Sequence, residues 1–401
     1  MTSIAGFRFS AAAAGIKKNG GLDVALLVAD EPVAAAGVFT RNLVRAAPVD
    51  VAEERVSRGR LQAVLVNAGN ANACTGEPGL RAVLDTTATV AEALGVEPSR
   101  VAPASTGVMG RVLPTEQVVA VVPTLVAELS ADGAGRFAEA ILTTDRWTKT
   151  ATAEVRQGEQ VARFLGIAKG AGMIHPDLGP QRPLQPAGPP HATMLAFVVT
   201  DAVVDVQLLQ QCLERAADLT FNACSVDGDT STNDTLLVLA SGRSNVTPSA
   251  EELTAALVEV CRPLAREMVR DGEGAEHAVD IVVRGLESEA AARQIAKTVA
   301  TSPLVKTALY GKDANWGRLL AAAGRAGVPF DPRVASVRVG DVCICERGLP
   351  TGAEAEARAA VIMRENTYAI ELVLGEGPGE FTYVTSDLGH GYVDVNAGYR
   401  S

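Results

Sequence analysis

His191-Ala192-Thr193-Met194-Leu195-Ala196-Phe197-Val198-Val199-Thr200-Asp201 is where a proline-rich stretch changes abruptly into an apolar run. Residues 194–199 read as a strand, with Thr193 at its head directly after a small residue. A chain that cuts itself before Thr193 would give that threonine a free amine. A nucleophilic hydroxyl and a base with a pKa of about 8 would then share one residue. The ordinary reading is a threonine opening a half-buried strand, and these residues alone favour it, because Thr is a common strand former.

Upstream of the strand stand six prolines, Pro176, Pro180, Pro183, Pro186, Pro189 and Pro190. They exclude a helix or a central strand and predict an exposed, semi-rigid loop. Such a loop suits a cut before Thr193, and equally a plain surface connection. Further upstream, Lys169-Gly170-Ala171-Gly172 sets a cation among glycines. Glycine lets an anion approach closely, although a solvated Lys in a glycine turn is the commoner arrangement. The pattern Gly-x-x-x-x-Gly-Lys-Ser/Thr of a phosphate loop is absent.

The chain has 401 residues, 47% of them hydrophobic, enough for a large core in one or two domains. Its net charge of −11 is spread without any basic block, which argues against nucleic acid. A positive partner for an acidic metabolite would have to be local. The six cysteines, Cys74, Cys212, Cys224, Cys261, Cys343 and Cys345, lack Cys-x-x-Cys spacing, so neither zinc nor a disulfide framework is expected. His175, His191, His277 and His390 are isolated, and no Gly-x-Ser-x-Gly elbow supports a Ser-His-Asp hydrolase. Neither a leader segment nor an apolar run of membrane-spanning length is seen, which predicts a cytoplasmic protein with no membrane partner.

Along the rest of the chain, residues 22–40 read as two antiparallel strands joined at Asp30-Glu31-Pro32. Residues 61–66 read as a strand, followed by a tight amide-rich loop with exposed backbone groups, and residues 80–94 as a helix stopped by Gly95. In Val101-Ala102-Pro103-Ala104-Ser105-Thr106-Gly107-Val108, Ser, Thr and Gly could turn two N–H groups toward one point, as an oxyanion requires. An ordinary strand-to-helix connection fits as well, with Thr115 capping a helix that Pro123 interrupts. Asp205 caps a helix over 206–219, and a long helix over 250–269 is expected to kink or break at Pro263. The polar loop 227–235 has acidic residues at alternating positions but lacks the glycine and final acid of a calcium loop. Glu273 stands between two glycines, free to point into a site or to end a helix as a solvated acid. Later β-rich segments at 335–339, 367–374 and 380–385 complete an α+β pattern.

Together these stretches resemble the ornithine acetyltransferase family, also called bifunctional glutamate N-acetyltransferase, self-cleaving enzymes of arginine biosynthesis. The resemblance runs over nearly the whole chain. It rests on Ala36-Gly37-Val38-Phe39-Thr40, on Asn67-Ala68-Gly69-Asn70-Ala71-Asn72-Ala73-Cys74-Thr75-Gly76, on Ser105-Thr106-Gly107-Val108 and on Lys169-Gly170-Ala171-Gly172-Met173. Ala192-Thr193-Met194-Leu195, Ser231-Thr232-Asn233-Asp234-Thr235, Asp271-Gly272-Glu273-Gly274-Ala275, Asn315-Trp316-Gly317-Arg318 and Asn396-Ala397-Gly398-Tyr399-Arg400 continue it.

The resemblance implies a layered helix/sheet/sheet/helix architecture of N-terminal-nucleophile type. It implies a cut between Ala192 and Thr193, giving an α chain of 1–192 and a β chain of 193–401 that stay associated in an α2β2 heterotetramer. Thr193 would be the nucleophile and Thr106 and Gly107 the oxyanion hole. Thr143 or Thr144, Lys169, Glu273, Asn396 and Ser401 would hold substrate. The implied reaction passes acetyl from N-acetylornithine to glutamate through an acetyl-threonine intermediate, with no cofactor and no metal, and with acetyl-CoA as a candidate alternative donor. Two departures stand out: residues 179–191 lengthen the link before the cut, and Ser401 replaces the family's usual Thr. Two other readings remain: the same acyl chemistry on another amino acid in specialised metabolism, and an N-terminal-nucleophile amidase or aminopeptidase.

Overall fold

The computed structural model describes residues 2–179 and 194–398. The expectations for Ala192, Thr193, Ser401 and the lengthened link therefore lie outside the described residues, apart from Gly179. Two compact units are present, one gathering the described residues of Met1–Asn222 and Asp229–Met268, the other those of Ala223–Gly228 and Val269–Arg400. These units are not the two pieces that a cut before Thr193 would give. The expected α+β class is realised in each as helices packed on a mixed sheet.

The sheet of the first unit runs in the order Val101–Val108, Arg60–Asn70, Val24–Thr40, Thr235–Ala240, Leu195–Thr200, Gln160–Lys169, Lys149–Gln157, with Phe7–Ala12 and Leu178–Gly179 also pairing with Val24–Thr40. All six residues of Leu195–Thr200 are buried, as expected for an apolar run in the middle of a sheet. Its core includes an edge-to-face chain of rings, Phe9 on Phe137 at 5.6 Å and Phe137 on Phe197 at 5.5 Å.

Three local expectations are corrected. Residues 24–40 form one strand of 17 residues, not a hairpin. Its first half pairs with Phe7–Ala12 and its second half with Thr235–Ala240, and the register against Arg60–Asn70 shifts between Val28 and Val33. Pro32 falls in that irregularity, where its missing N–H breaks no ladder. Neither Pro123 nor Pro263 ends a helix: Thr115–Ala127 and Ala250–Arg270 run through them, and Thr115 makes no side-chain cap. An internal proline costs about 3 kcal/mol. Each large apolar side chain buried returns about 1.5–3 kcal/mol, and Leu253, Leu257, Val260, Leu264 and Met268 form such a stripe on the second helix. Leu178–Gly179, inside the stretch expected to be exposed, is buried and pairs with Phe39 and Thr40.

The second unit's sheet is ordered Leu349–Pro350, Val342–Glu346, Ser336–Val339, Thr367–Val373, Ala278–Gly285, Gly377–Ser386, Cys224–Ser225. Helix Glu289–Ala300, capped by Ser288, packs on it. Pro303–Tyr310, not expected from sequence, is a helix, and Asn315 caps the next, Trp316–Gly324, accepting from Arg318 N. The six cysteines form no disulfide with one another. Among the described residues no helix is long and apolar enough to cross a membrane.

Candidate active site

The strand that follows Thr193 lies between two strands whose ends carry charge. Lys169, the last residue of Gln160–Lys169, is opposite Leu195 in antiparallel register, and Thr235 is opposite Leu195 in parallel register on the other side. Asp234, just before Thr235, accepts the Met194 N–H through Oδ1 at 2.9 Å. The Met194 amide nitrogen is thereby anchored to a buried carboxyl group.

Lys169 is 1% exposed and not the solvated Lys that a glycine turn would present. Its ammonium donates to Thr143 Oγ1 at 2.8 Å and to Thr106 Oγ1 at 3.2 Å, and lies 3.7 Å from Asp145 Oδ2. The sequence expectation therefore divides the threonine pair: Thr143 joins Lys169, whereas the Thr144 hydroxyl is buried with no hydrogen-bond partner among the described residues. Asp145 completes the cluster, accepting from Lys149 Nζ at 2.7 Å, from Gly170 N at 2.6 Å and from Thr143 N at 3.1 Å. Burial alone would raise the Asp145 carboxyl, but the Lys169 and Lys149 ammonium groups, with the hydrogen bonds, hold it well below the usual carboxylate range. Two buried lysines share the Asp145 carboxylate.

Thr106 and Gly107 sit within Val101–Val108, near its end, rather than in a loop. Gly107 has φ +127°, and a Cβ there would lie 2.4 Å from Gly69 C and 2.6 Å from Asn70 N. Only glycine lets the two backbones approach so closely. Gly107→Ala is expected to destabilise the protein by at least about 2 kcal/mol through overpacking and strain, read as a lower midpoint of urea unfolding.

The amide-rich stretch does not expose its backbone as expected. Asn67, Asn70 and Asn72 are buried. Ser105 Oγ donates to Asn67 Oδ1 at 2.6 Å, and Asn233 Nδ2 donates to Ser105 O at 3.0 Å and Ala71 O at 2.8 Å. These bonds fix the strand that carries Thr106, and they satisfy polar groups that water cannot reach.

Asp234 is fully enclosed, and burial pushes its carboxyl up to about 7 against the hydrogen bonds from Met194 and Ser231. Its Oδ2 accepts no hydrogen bond of good geometry among the described residues. A raised pKa means that the unfolded chain ionises first, so this group withdraws stability as pH rises from the usual carboxylate range through about 7. In the uncut chain, Asp234→Asn should gain on the parent protein across that window and hold a constant advantage above it, in unfolding followed against pH. No change in the difference between the two would contradict this.

Glu273 and Asn396 belong to the second unit and meet there: Asn396 Nδ2 donates to Glu273 Oε2 at 3.1 Å. Gly274 has φ +68°, and a Cβ on it would lie 2.1 Å from Tyr392 N, so the turn packs backbone to backbone on the helix His390–Gly398. Asp145, Lys149 and Asp234 have no site role in the sequence expectations. Asp145 follows the threonine pair, and Asp234 stands one residue before the five apolar residues 236–240; an ionisable residue at the edge of an apolar run is the signal that could have found Asp234. Among the described residues no group of three or more His, Cys, Asp or Glu side chains is placed to hold a metal ion.

The ArgJ family model matches residues 8–401. The chain belongs to the ArgJ family. A relative from Geobacter sulfurreducens named "Arginine biosynthesis bifunctional protein ArgJ" is 44% identical over 405 residues, covering 100% of this chain and 100% of that protein. One of the same name from Syntrophotalea carbinolica is 44% identical over 409 residues, again with 100% of both chains covered. A crystal structure of ornithine acetyltransferase complexed with ornithine, from Mycobacterium tuberculosis, is 42% identical and covers 44% of this chain and 94% of its own, with a TM-score of 0.40. In this ArgJ chain, Thr106, Lys169 and the Glu273–Asn396 pair lie on stretches that suggested the family in the sequence, and Thr143 lies outside them.

Proposed function

We propose that this ArgJ chain transfers acetyl from N2-acetyl-L-ornithine to L-glutamate through an acetyl ester on Thr193, after cutting itself between Ala192 and Thr193. The observation that carries this reading is the buried Lys169 ammonium, bonded to Thr106 and Thr143 and held at the strand end opposite Leu195, two residues from Thr193. The full-length relatives named for arginine biosynthesis support it.

In the cut, Thr193 Oγ attacks the Ala192 carbonyl and the peptide nitrogen leaves as the Thr193 amine. Water then hydrolyses the ester, leaving a carboxylate on Ala192 and restoring the hydroxyl. In turnover, the amine takes the hydroxyl proton as Oγ attacks the acetyl carbonyl. The tetrahedral oxyanion accepts hydrogen bonds at Thr106 and Gly107, and the proton passes to the departing ornithine amine. Glutamate's amine attacks the acetyl-threonine ester through a second oxyanion, and Oγ leaves with a proton returned to it. One donor set serves both half-reactions, each donor worth about 3 kcal/mol.

Lys169 receives a substrate carboxylate, Thr143 orients it, and Glu273 with Asn396 receives the ammonium or amide end; Ser401 adds a hydroxyl. No cofactor enters this scheme, and acetyl-CoA serves as an alternative donor for glutamate. The two pieces, 1–192 and 193–401, would stay together, because Thr235–Ala240 and Leu195–Thr200 are hydrogen-bonded between Val24–Thr40 and Gln160–Lys169. The proposed assembly is α2β2, acting in the cytoplasm.

Incubation with N-acetylornithine and glutamate tests the reaction. Formation of N-acetylglutamate with free ornithine is expected. Release of acetate regardless of glutamate would make the protein an amidase, and transfer to a different amino acid would change the pathway. N-acetylglutamate formed from acetyl-CoA tests the second donor.

A further inference from the structure

At one end of the second unit's sheet, three strands bring polar side chains to one buried face. Val279, Tyr368 and Thr385 lie in line across Ala278–Gly285, Thr367–Val373 and Gly377–Ser386. Alternation along a strand places residues two apart on the same face, so His277 and Asp387, two positions beyond Val279 and Thr385, project beside Tyr368. Their rings confirm the approach, with His277 and Tyr368 centroids 5.8 Å apart. His277 is 3% exposed, Tyr368 6% and Asp387 3%.

Each of the three carries one buried atom without a hydrogen-bond partner among the described residues: His277 Nε2, Tyr368 Oη and Asp387 Oδ2. The rest of each polar group is occupied. His277 Nδ1 is 2.8 Å from Glu365 O, a contact that requires the proton on Nδ1, so that in the neutral ring Nε2 is an acceptor. Asp387 Oδ1 accepts from Glu276 N and His277 N, both at 2.9 Å. Lys306, whose ammonium interacts with the Asp387 carboxylate, spends its three N–H groups on Thr385 Oγ1, Ser386 Oγ and Ser386 O. Glu276 Oε2, 3.8 Å from His277 Nε2, is beyond bonding distance and is held by Lys312. Burial, with the Asp387 carboxylate adding to it, raises the Tyr368 phenol above its ordinary value, so the phenol keeps its proton.

The open atoms are thus two acceptors and one donor. A water molecule has the complementary set, two protons to donate and a lone pair to accept, and buried waters characteristically make about three such bonds. We propose that His277, Tyr368 and Asp387 enclose one bound water that donates to Nε2 and Oδ2 and accepts from Oη, and that this water fastens the Glu273 turn to the helix of Asn396. The chain runs from the turn through Glu276 to His277, and from Asp387 through Leu388 and Gly389 to His390–Gly398. The water joins the two connections behind the Glu273–Asn396 contact. A cation fits less well, since Lys306 lies against the same face and the phenol offers a proton.

The site itself is independent of the reaction; its effect on substrate binding rests on the acetyl-transfer reading, and the two are tested apart. A crystal structure of the whole protein should show a density peak within about 3 Å of all three atoms. Direct bonding between any two of them with no peak would overturn the site. Tyr368→Phe removes the donor and keeps the ring. With folding checked by circular dichroism, it should raise KM for the acetylated donor about three- to tenfold with kcat little changed. An unchanged KM would overturn the fastening role and leave the water standing. If the parent protein transfers no acetyl group, the proposed reaction fails and the positioning role with it, while the density still decides the site.

Discussion

Thr193→Ala is expected to leave one uncut chain and to lower kcat by on the order of 10⁴-fold or more, as removal of a covalent nucleophile does. Two losses coincide in this substitution. Without Oγ there is no attack on the Ala192 carbonyl, and without the cut there is no free amine to act as base. Thr193→Ser keeps the hydroxyl and should still divide into two pieces with reduced turnover. Denaturing electrophoresis with intact-mass measurement reads the cut, and acetyl transfer from N-acetylornithine reads the turnover. An alanine variant that is as active as its parent would remove Thr193 from the chemistry. The lengthened link of residues 179–191 stands directly before the cut; shortening it tests whether it governs the rate of cutting, read by the time taken for the uncut chain to disappear.

Asp145→Ala should destabilise the first unit by about 3–5 kcal/mol, the usual effect of breaking a buried charge pair from one side. The side chains of Asp145 and Lys149 are 0% exposed and that of Lys169 1%, so the carboxylate offsets two ammonium groups that water cannot reach. Urea unfolding at neutral pH is the measurement, and a loss below about 1 kcal/mol would show that the carboxylate is not the counter-ion it resembles. Acid gives an independent check. The Asp145 carboxyl is held below its unfolded value, so its contribution is complete above the ordinary carboxylate range and is lost as pH falls below about 4. The advantage of the parent protein over Asp145→Asn should therefore shrink on acidification. The same variant should weaken substrate binding more than it slows turnover, because Asp145 touches Lys169 and no reacting atom.

Secondary structure was legible wherever one local rule dominated. Gly95 ends Gly76–Leu94 with a left-handed φ of 69°, and Asp205 caps Val206–Leu219 by accepting from Gln207 N and Leu208 N, both as the residue types predict. It failed where burial outweighed a local preference. Pro123 and Pro263 remain inside helices because apolar faces hold the turns around them, and Asp30-Glu31-Pro32 makes an irregularity instead of a hairpin because Val24–Thr40 exchanges one partner strand for another midway.

The candidate site divides in the same way. The ordered motifs by themselves determined the family, and the resemblance named Thr106, Lys169, Glu273, Asn396 and one of Thr143 and Thr144. Residue type and neighbouring glycines mark such groups wherever the chain later carries them. Tertiary structure alone decided which of them meet. Lys169 reaches Thr143 and Thr106 across 26 and 63 residues of sequence, Asp234 takes the Met194 amide across 40, and Asn396 finds Glu273 across 123. It also decided the charge states, raising Asp234 to about 7 and lowering Asp145. Those shifts depend on how completely water is excluded and on which charges stand within a few ångströms. Strand pairing and burial set both quantities, and a linear order of residues contains neither.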